Sequence, residues 1–390
     1  MARKSKRDIE QMRKATNKKA GRNVAFSLME ENPNIIEDWI STGSTVLDSI
    51  VATGIGEGGL PVGKIVELAG LSSTGKSYLA AIMMADAQRK GMVAVLYDSE
   101  SAVDPKFLLR AGVDLENLIY IQAESMEFVM QDMEDKMSQF GEGFFFCWDS
   151  VANTKVKAEE EIGYNPNKLV GVAARVLSLG MRKLTIPLGV NKCVLLACNQ
   201  LKTNIGNAYE PLVSYGGKAF DYCASLRLFL TRSMAKDAHV FDENNYRIGS
   251  HVKATLKKSR FGTEGRFCEF KILWGGDDVR VQDEESWADY VKKSDYIEQN
   301  GAWYSVFMDE EKTPEKAKKA NGRVEFVKML KENPEFRKRV LEIIQVKMVN
   351  QFAHREGDAS VFYISQEELG KEVAQSKKSN KTANKKKRGK

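Results

Sequence analysis

The chain has 390 residues, 43% of them hydrophobic and 29% charged, with a net charge of +6. That composition suits one large globular domain with one or two small companions. No apolar run is long enough to cross a bilayer, and the basic N-terminus lacks the apolar stretch of a secretion signal, so a soluble cytoplasmic protein is expected.

In chain order, the segment DIEQMRKATNKKAGRNVAFSLMEE reads as a helix. Glycines and Pro61 then punctuate turns before the short strand KIVELAG. A glycine-rich loop follows, then the helical pattern SYLAAIMMADAQRKG, which stops at Gly91. MVAVLYDSES reads as a buried strand with an acidic end, DPKFLLRAGV as a short helix, LIYIQA as a strand and MEFVMQDMEDKMSQFG as an amphipathic helix. GFFFCWDSVAN, KCVLLACNQ, FDYCASLRLFLTR, VKATLKKSRF and RFCEFKILWGGD read as further strands. The helix GVAARVLSLGMRKLTIPLGV lies between the first two of these. Strands alternating with helices argue for an α/β fold, a mainly parallel sheet covered by helices on both faces. The last strands lack intervening helices and suggest an antiparallel extension. The expected units are a basic N-terminal helical arm (1–36), the α/β core (37–275), a small C-terminal α+β domain (276–347) and a C-terminal extension (348–390).

Charge is concentrated at the ends. Residues 1–22 carry nine Lys or Arg against two acids and residues 371–390 nine against one, which leaves residues 23–370 at a net −9. Tails of that composition cannot bury enough apolar surface to fold alone. They are either solvated ends or a polyanion contact working through counterion release. The five cysteines, Cys147, Cys193, Cys198, Cys223 and Cys268, form no C-x-x-C pair, and most sit in apolar stretches; they read as buried, reduced thiols. The three histidines are scattered and offer no metal cluster.

Gly70-Leu71-Ser72-Ser73-Thr74-Gly75-Lys76-Ser77 fits G-x-x-x-x-G-K-[ST], between a strand and a helix. Glycines let backbone N–H groups turn inward around phosphate oxygens. Lys76 supplies a point charge to the β- and γ-phosphates, and the Ser77 hydroxyl is placed for Mg²⁺. The helix that continues through Tyr78 adds the positive end of its dipole. Asp149, closing the apolar run FFFCWD, is the candidate acid for the Mg²⁺ shell. Glu100, at the tip of VLYDSE, is the candidate general base, with Asp98 its competitor two residues away. ATP and Mg²⁺ are therefore the expected cofactors.

Nine segments, ISTGSTVLD, GGLPVGKIVELAG, YDSESAVDP, WDSVAN, EIGYNPNKLVGVAAR, MRKL, NQLKTNIG, YGGKAFDYCASLRL and IEQNGAWYS, resemble in order and spacing the RecA family of DNA strand-exchange recombinases. The resemblance runs from about Ile40 to Val306 and more weakly to about Ile344. It implies an ATP-dependent recombinase that polymerises as a helical filament on single-stranded DNA, pairs it with a homologous duplex and exchanges strands. Single-strand-binding and mediator proteins are further implied partners. At matching positions Glu100 would activate water, and Asp104 and Phe107 would flank the adenine, Phe107 standing where a Tyr is usual. Trp274 would flank the nucleotide from a neighbouring subunit. Gln200 would sense the γ-phosphate, and Lys258 and Arg260 would reach across the interface as arginine fingers do.

Two DNA-gripping loops are implied, at about 159–169 and 201–215. They would use Val170 from the first and Lys202, Asn204, Ile205, Gly206 and Tyr209 from the second. Ile205 and Val170 match apolar wedges between base triplets. Arg175, Arg182, Gly216, Gly217 and Arg227 match phosphate-contacting or loop-base positions. Read without the resemblance, both segments are mobile surface loops.

The chain departs from the family pattern at Ser72, commonly Glu in bacterial members, and at Asp221 and Tyr222, where Lys and Phe align. It also ends in a basic tail where bacterial members carry an acidic one; departures of this kind would fit a virus-encoded member. A hexameric helicase on the same core is the alternative reading, opposed by the GAWYS segment and the paired loops. A nucleotide-binding loader without hydrolysis is a third. Deleting residues 371–390 is expected to weaken DNA binding and flatten the dependence of log K on log salt by several contacts. A salt titration showing an unchanged slope would make the tail a solubilising end only.

Overall fold

The computed structural model describes residues 5–28, 32–52, 57–159, 171–204, 212–232, 238–274, 280–292 and 294–353. Helix α1 (Lys6–Ala20) opens on a capping box, with Ser5 Oγ accepting from the Asp8 N–H and the Asp8 carboxylate accepting from the Ser5 N–H. The helix is shorter than its sequence pattern suggests. Gly21 takes the left-handed conformation at φ 66°. Asn17 then draws the chain back, its Oδ1 accepting from the N–H groups of Val24 and Ala25 at 2.9 and 2.7 Å. No residue of α1 is buried.

Strand β1 (Trp39–Ile40), helix α2 (Thr45–Val51) and strand β2 (Leu60–Pro61) lead into the core. There β3 (Ile65–Gly70), α3 (Lys76–Arg89), β4 (Val93–Asp98), α4 (Pro105–Arg110), β5 (Leu118–Gln122), α5 (Met126–Phe140) and β6 (Phe144–Asp149) alternate. Helix α6 (Val172–Val190), β7 (Val194–Thr203), β8 (Leu212–Ser214), helix α7 (Ala219–Cys223) and β9 (Leu226–Thr231) follow. Then come β10 (His239–Phe241), β11 (Arg247–Ser259), β12 (Phe267–Leu273) and β13 (Arg280–Gln282). These strands form one eleven-stranded sheet with the path β13-β12-β11-β9-β3-β7-β6-β4-β5; β10 pairs with β11 and β8 with β7. From β9 to β5 every neighbour on that path is parallel. The strands β9, β11, β12 and β13 pair antiparallel.

The period-2 rule divides the core between the two faces. Phe145 and Cys147 of β6, Ala94 and Leu96 of β4, and Val194 and Leu196 of β7 pack with Leu79, Met83 and Met84 of α3. The alternate residues Phe144, Phe146, Trp148, Val95, Tyr97 and Leu195 pack with Met130 and Met133 of α5 and Leu177 and Leu184 of α6. Burial on both faces explains why these strands read as continuous apolar runs.

Two local readings change. FDYCASLRLFLTR is not one strand: its first half is helix α7, which ends before β9 begins. Part of the second expected loop is strand: β7 runs on past Gln200 and pairs with β8, Leu201 opposite Ser214 and Thr203 opposite Leu212. Beyond β13, helix α8 (Glu284–Val291), an antiparallel three-stranded sheet of β14 (Ile297–Asn300), β15 (Trp303–Val306) and β16 (Lys318–Asn321), and helices α9 (Gly322–Glu332) and α10 (Pro334–Ala353) close the fold. Trp287, Phe326 and Phe336 from these elements join the same apolar cluster as α3. All five cysteines are free and buried.

One polar network crosses the centre of the sheet. The fully buried Glu67 of β3 accepts from Arg227 Nε of β9 at 2.5 Å and from Asn199 Nδ2 of β7 at 2.7 Å. Glu67→Ala takes the buried acceptor from Arg227 Nε and Asn199 Nδ2, leaving Arg227 the more exposed Asp221 as its anionic partner, and is expected to cost about 3 kcal/mol in denaturant unfolding. A loss below about 1 kcal/mol would mean that the network does not hold the sheet.

Candidate nucleotide site and nucleic-acid interface

The glycine-rich loop leaves β3 at the carboxyl end of the parallel strands, where open α/β sheets bind ligands. A Cβ on Gly70 would lie 2.5 Å from Thr74 Oγ1 and one on Gly75 2.3 Å from Ile272 Cδ1, so both positions need glycine. Gly75 is left-handed at φ 87° and caps α3; Ser73 shares that conformation at φ 58°. Thr74 is buried and ties the loop by donating to the Leu71 carbonyl at 2.8 Å. Ser72 is exposed on the loop. Lys76 Nζ folds back over the loop and donates to the carbonyls of Gly70 and Leu71 at 3.1 and 3.0 Å. Burial pulls its pKa down, opposed by Asp149 and Glu100. Asp149 accepts a hydrogen bond from Ser77, while burial and the nearby Glu100 and Asp98 push its carboxyl up.

This arrangement fits a triphosphate with its cation. A turn lined by backbone N–H groups, one lysine and a Ser–Asp pair converge on one point, and Ser77 and Asp149 are the residues that would hold Mg²⁺. A cavity of about 310 Å³ opens beside them, lined by Ser77, Asp149, Glu100, Asp104 and Phe107 among others. Tyr78 is buried, and its ring lies 5.6 Å from that of Phe107, so it shapes the cavity wall from behind. Asp104 caps α4, accepting from the Lys106 N–H at 2.9 Å. A larger groove, about 800 Å³, lies between α1 and the residues around Gly63 and Gly189.

The two acids at the end of β4 are now distinguishable. Asp98 is buried, and both its oxygens are engaged: Oδ1 by the N–H groups of Glu100 and Ser101, and Oδ2 by the Tyr120 hydroxyl at 3.0 Å. It shapes the turn. Glu100 stands exposed at the tip, its Oε1 accepting from Ser150 Oγ at 3.0 Å and from Asn153 Nδ2. Gln200 lies on β7 opposite Gly70 of β3 and donates to Asn153 Oδ1 at 3.3 Å. Sequence reasoning missed Asn153; its only signal was a carboxamide four residues past Asp149.

Lys258 and Arg260 stand elsewhere. Gly70 pairs with Leu230 of β9, whereas Ser259 pairs with Leu226 at the other end of that strand. At ~3.3 Å per residue they lie about 13 Å back along the strand, toward the opposite ends of the parallel strands. Lys258 Nζ donates to the carbonyls of Asp221 and Ala224, and Arg260 to that of Tyr222, at the carbonyl end of α7. Trp274 follows two residues after Ile272, half-exposed, with Arg247 over its ring at 5.0 Å.

Of the expected DNA contacts, Val170, Ile205, Gly206 and Tyr209 lie outside the described residues. The flanks of the two loops are adjacent. A Cβ on Gly216, at φ 91°, would lie 2.4 Å from Leu177 of α6, and one on Gly217 3.4 Å from Ala174. Arg175 and Arg182 are exposed on α6, seven residues apart and so on one face. Lys202 lies on the β7–β8 ribbon with its ammonium 4.8 Å from the Tyr215 ring, and Asn204 ends the described part of that ribbon. Arg227 is different. It is buried and satisfied by Glu67, Asp221 and Ser214. It anchors the loop base.

The family model of the RecA N-terminal domain matches residues 7–278. The chain belongs to the RecA family. It is 32% identical to Protein RecA of Brucella canis over 307 residues, 78% of this chain and 79% of that relative. It is 33% identical to Protein RecA of Agrobacterium fabrum over 276 residues, 70% of this chain and 72% of that one. Membership in the RecA family carries the themes of recombination and repair, ATP and DNA binding, and in general a DNA-dependent ATPase using ATP and Mg²⁺. No helix among the described residues is long and apolar enough to cross a membrane. Lys76→Ala is expected to lower ATP turnover about a hundredfold or more, by removing the charge aimed at the phosphates. Normal phosphate release by that variant would take the loop out of the chemistry.

Proposed function

We propose that the chain polymerises head-to-tail on single-stranded DNA, binds ATP where subunits meet, and carries out homologous pairing and strand exchange with duplex DNA. The observation that carries this reading is the placement of the two halves of the chemistry. The P-loop, Glu100 and Gln200 stand toward the carboxyl ends of the parallel strands; Lys258 and Arg260 lie toward the opposite ends. Basic residues so placed serve the nucleotide of a second copy. A heterologous contact of that kind, repeated, builds an open helix when its rotation does not close.

Within each site the chain's own groups divide the work. The glycine-rich loop and Lys76 orient the phosphates. Bound Mg²⁺ would draw charge from the phosphate oxygens, held by Ser77 and Asp149. Glu100 takes a proton from the attacking water. Lys258 and Arg260 of the adjoining copy stabilise charge building on the transferred group. Asp104 and Phe107 hold the base, and Trp274 would cover it from the neighbour. Gln200 continues into the β7–β8 ribbon, so a change at its side chain is passed to the segment at 205–211, where Ile205 would wedge between bases with Val170. Arg175, Arg182 and Lys202 favour phosphate by charge. The arm at 1–36 would pack on the next copy, and the unit at 276–347 would gather duplex DNA. Nucleotide binding favours the gripping state and hydrolysis releases it.

Mixing tests the shared site directly. Lys76→Ala lacks the cis half and Arg260→Ala lacks the trans half. Each alone is expected to be nearly inactive with single-stranded DNA. In an equal random mixture about a quarter of the interfaces combine two intact halves, and turnover returns accordingly. A mixture no more active than its components would refute the shared site.

A further inference from the structure

The carboxamide of Asn153 uses both its ends. On the short 3₁₀ turn Val151–Asn153, directly after β6, it donates from Nδ2 to Glu100 Oε1 and accepts at Oδ1 from Gln200 Nε2, 3.3 Å away. Its side chain is exposed, so it fills no core space. The polarity of this chain of bonds is dictated by its first member. An ionised carboxylate only accepts, so Asn153 must present its NH₂ to Glu100. Its oxygen is then left for Gln200, which must present its own NH₂ and turn its oxygen away. Gln200 in turn accepts at its backbone oxygen from the Tyr215 N–H at 3.1 Å, which ties it to the base of the β7–β8 ribbon.

We propose that Asn153 is a positioning residue that couples the charge on Glu100 to the orientation of Gln200, and through it to the DNA-facing ribbon. The inference rests on the proposed roles of Glu100 and Gln200 and adds the link between them. In the hydrolytic step an O–H bond of water breaks and its proton passes to the Glu100 carboxylate. The hydroxide oxygen bonds to the γ-phosphorus, and the bond from that phosphorus to the bridging oxygen breaks, leaving ADP. A protonated Glu100 can donate. The Asn153 amide is then able to turn over, offering its oxygen to Glu100 and its NH₂ to Gln200. The same link works in reverse: an ordered ribbon holds Gln200, Gln200 holds Asn153, and Asn153 holds Glu100 in place for water.

The test compares Asn153→Ala with the near-isosteric Asn153→Asp, with Glu100→Gln run alongside. Both Asn153 variants are expected to lose about tenfold or more of the kcat measured with single-stranded DNA, within the usual range of coupling between sites. The KM for ATP and the affinity for a fluorescent ATP analogue should stay within about twofold. Asp has the shape of Asn but no N–H, and it sets a second negative charge against Glu100, so it should be at least as impaired as Ala. Asn153→Ala combined with Gln200→Ala should be no worse than Gln200→Ala alone. Full stimulation in Asn153→Asp would make the role one of shape. Unchanged stimulation in Asn153→Ala, or parallel loss of nucleotide binding, would overturn the proposal. If Glu100→Gln still turns over, the reading of the base itself fails. If Glu100→Gln is dead while both Asn153 variants behave as the parent, only the coupling role fails.

Discussion

The site depends on the register of β3 between its two neighbours. Gly70 sits opposite Gln200 on one side and Leu230 on the other. That pairing puts the start of the phosphate loop beside the residue that leads into the β7–β8 ribbon. A slip of one residue would turn every side chain of β3 to the other face and separate loop from ribbon. The buried network of Glu67, Asn199 and Arg227 guards against this, because each strand contributes one member and only one register satisfies all three. A carboxylate at full burial is costly unless paired. Here the pairing also sets the geometry of the site.

Around that register the charges are close to balanced but not symmetric. Lys76 is the cation beside Asp149 and Glu100, and in this structure it is held by loop carbonyls. The departure at Asp221, where the family pattern carries Lys, is absorbed locally. Its carboxylate gives Arg227 a second anionic partner, and its carbonyl holds Lys258. Arg227, Lys258 and Arg260 thus all engage α7 or the residue after it. The exposed Tyr222 lies between them in sequence, and its carbonyl holds Arg260.

The parallel sheet was legible in the sequence because strands buried on both faces are continuous apolar runs, and β3, β4, β5 and β6 each lead to a helix before the next strand. The phosphate loop was legible because backbone close approach demands glycine at Gly70 and Gly75. Less could be read where polar residues do the structural work. The end of α1 depends on Asn17 gripping Val24 and Ala25, a contact across a turn that periodicity does not register. The β7–β8 ribbon looked like a loop because Leu201 and Leu212, which share one apolar cluster, are separated in sequence by a polar, glycine-bearing run. Choosing between Asp98 and Glu100 needed the Tyr120 hydroxyl from the adjacent strand. The burial of Arg227 followed from Glu67, far away in sequence. Asn153 gained meaning only when three strand ends came together.

The proposed coupling makes the nucleotide site and the DNA-facing ribbon one device. The most direct measurement is the steady-state rate of ATP hydrolysis with and without single-stranded DNA, at two salt concentrations. Strong stimulation by single strands is expected, weakening at the higher salt as a phosphate contact requires. Equal rates with and without DNA at both salts, in protein that binds the nucleotide, would contradict it.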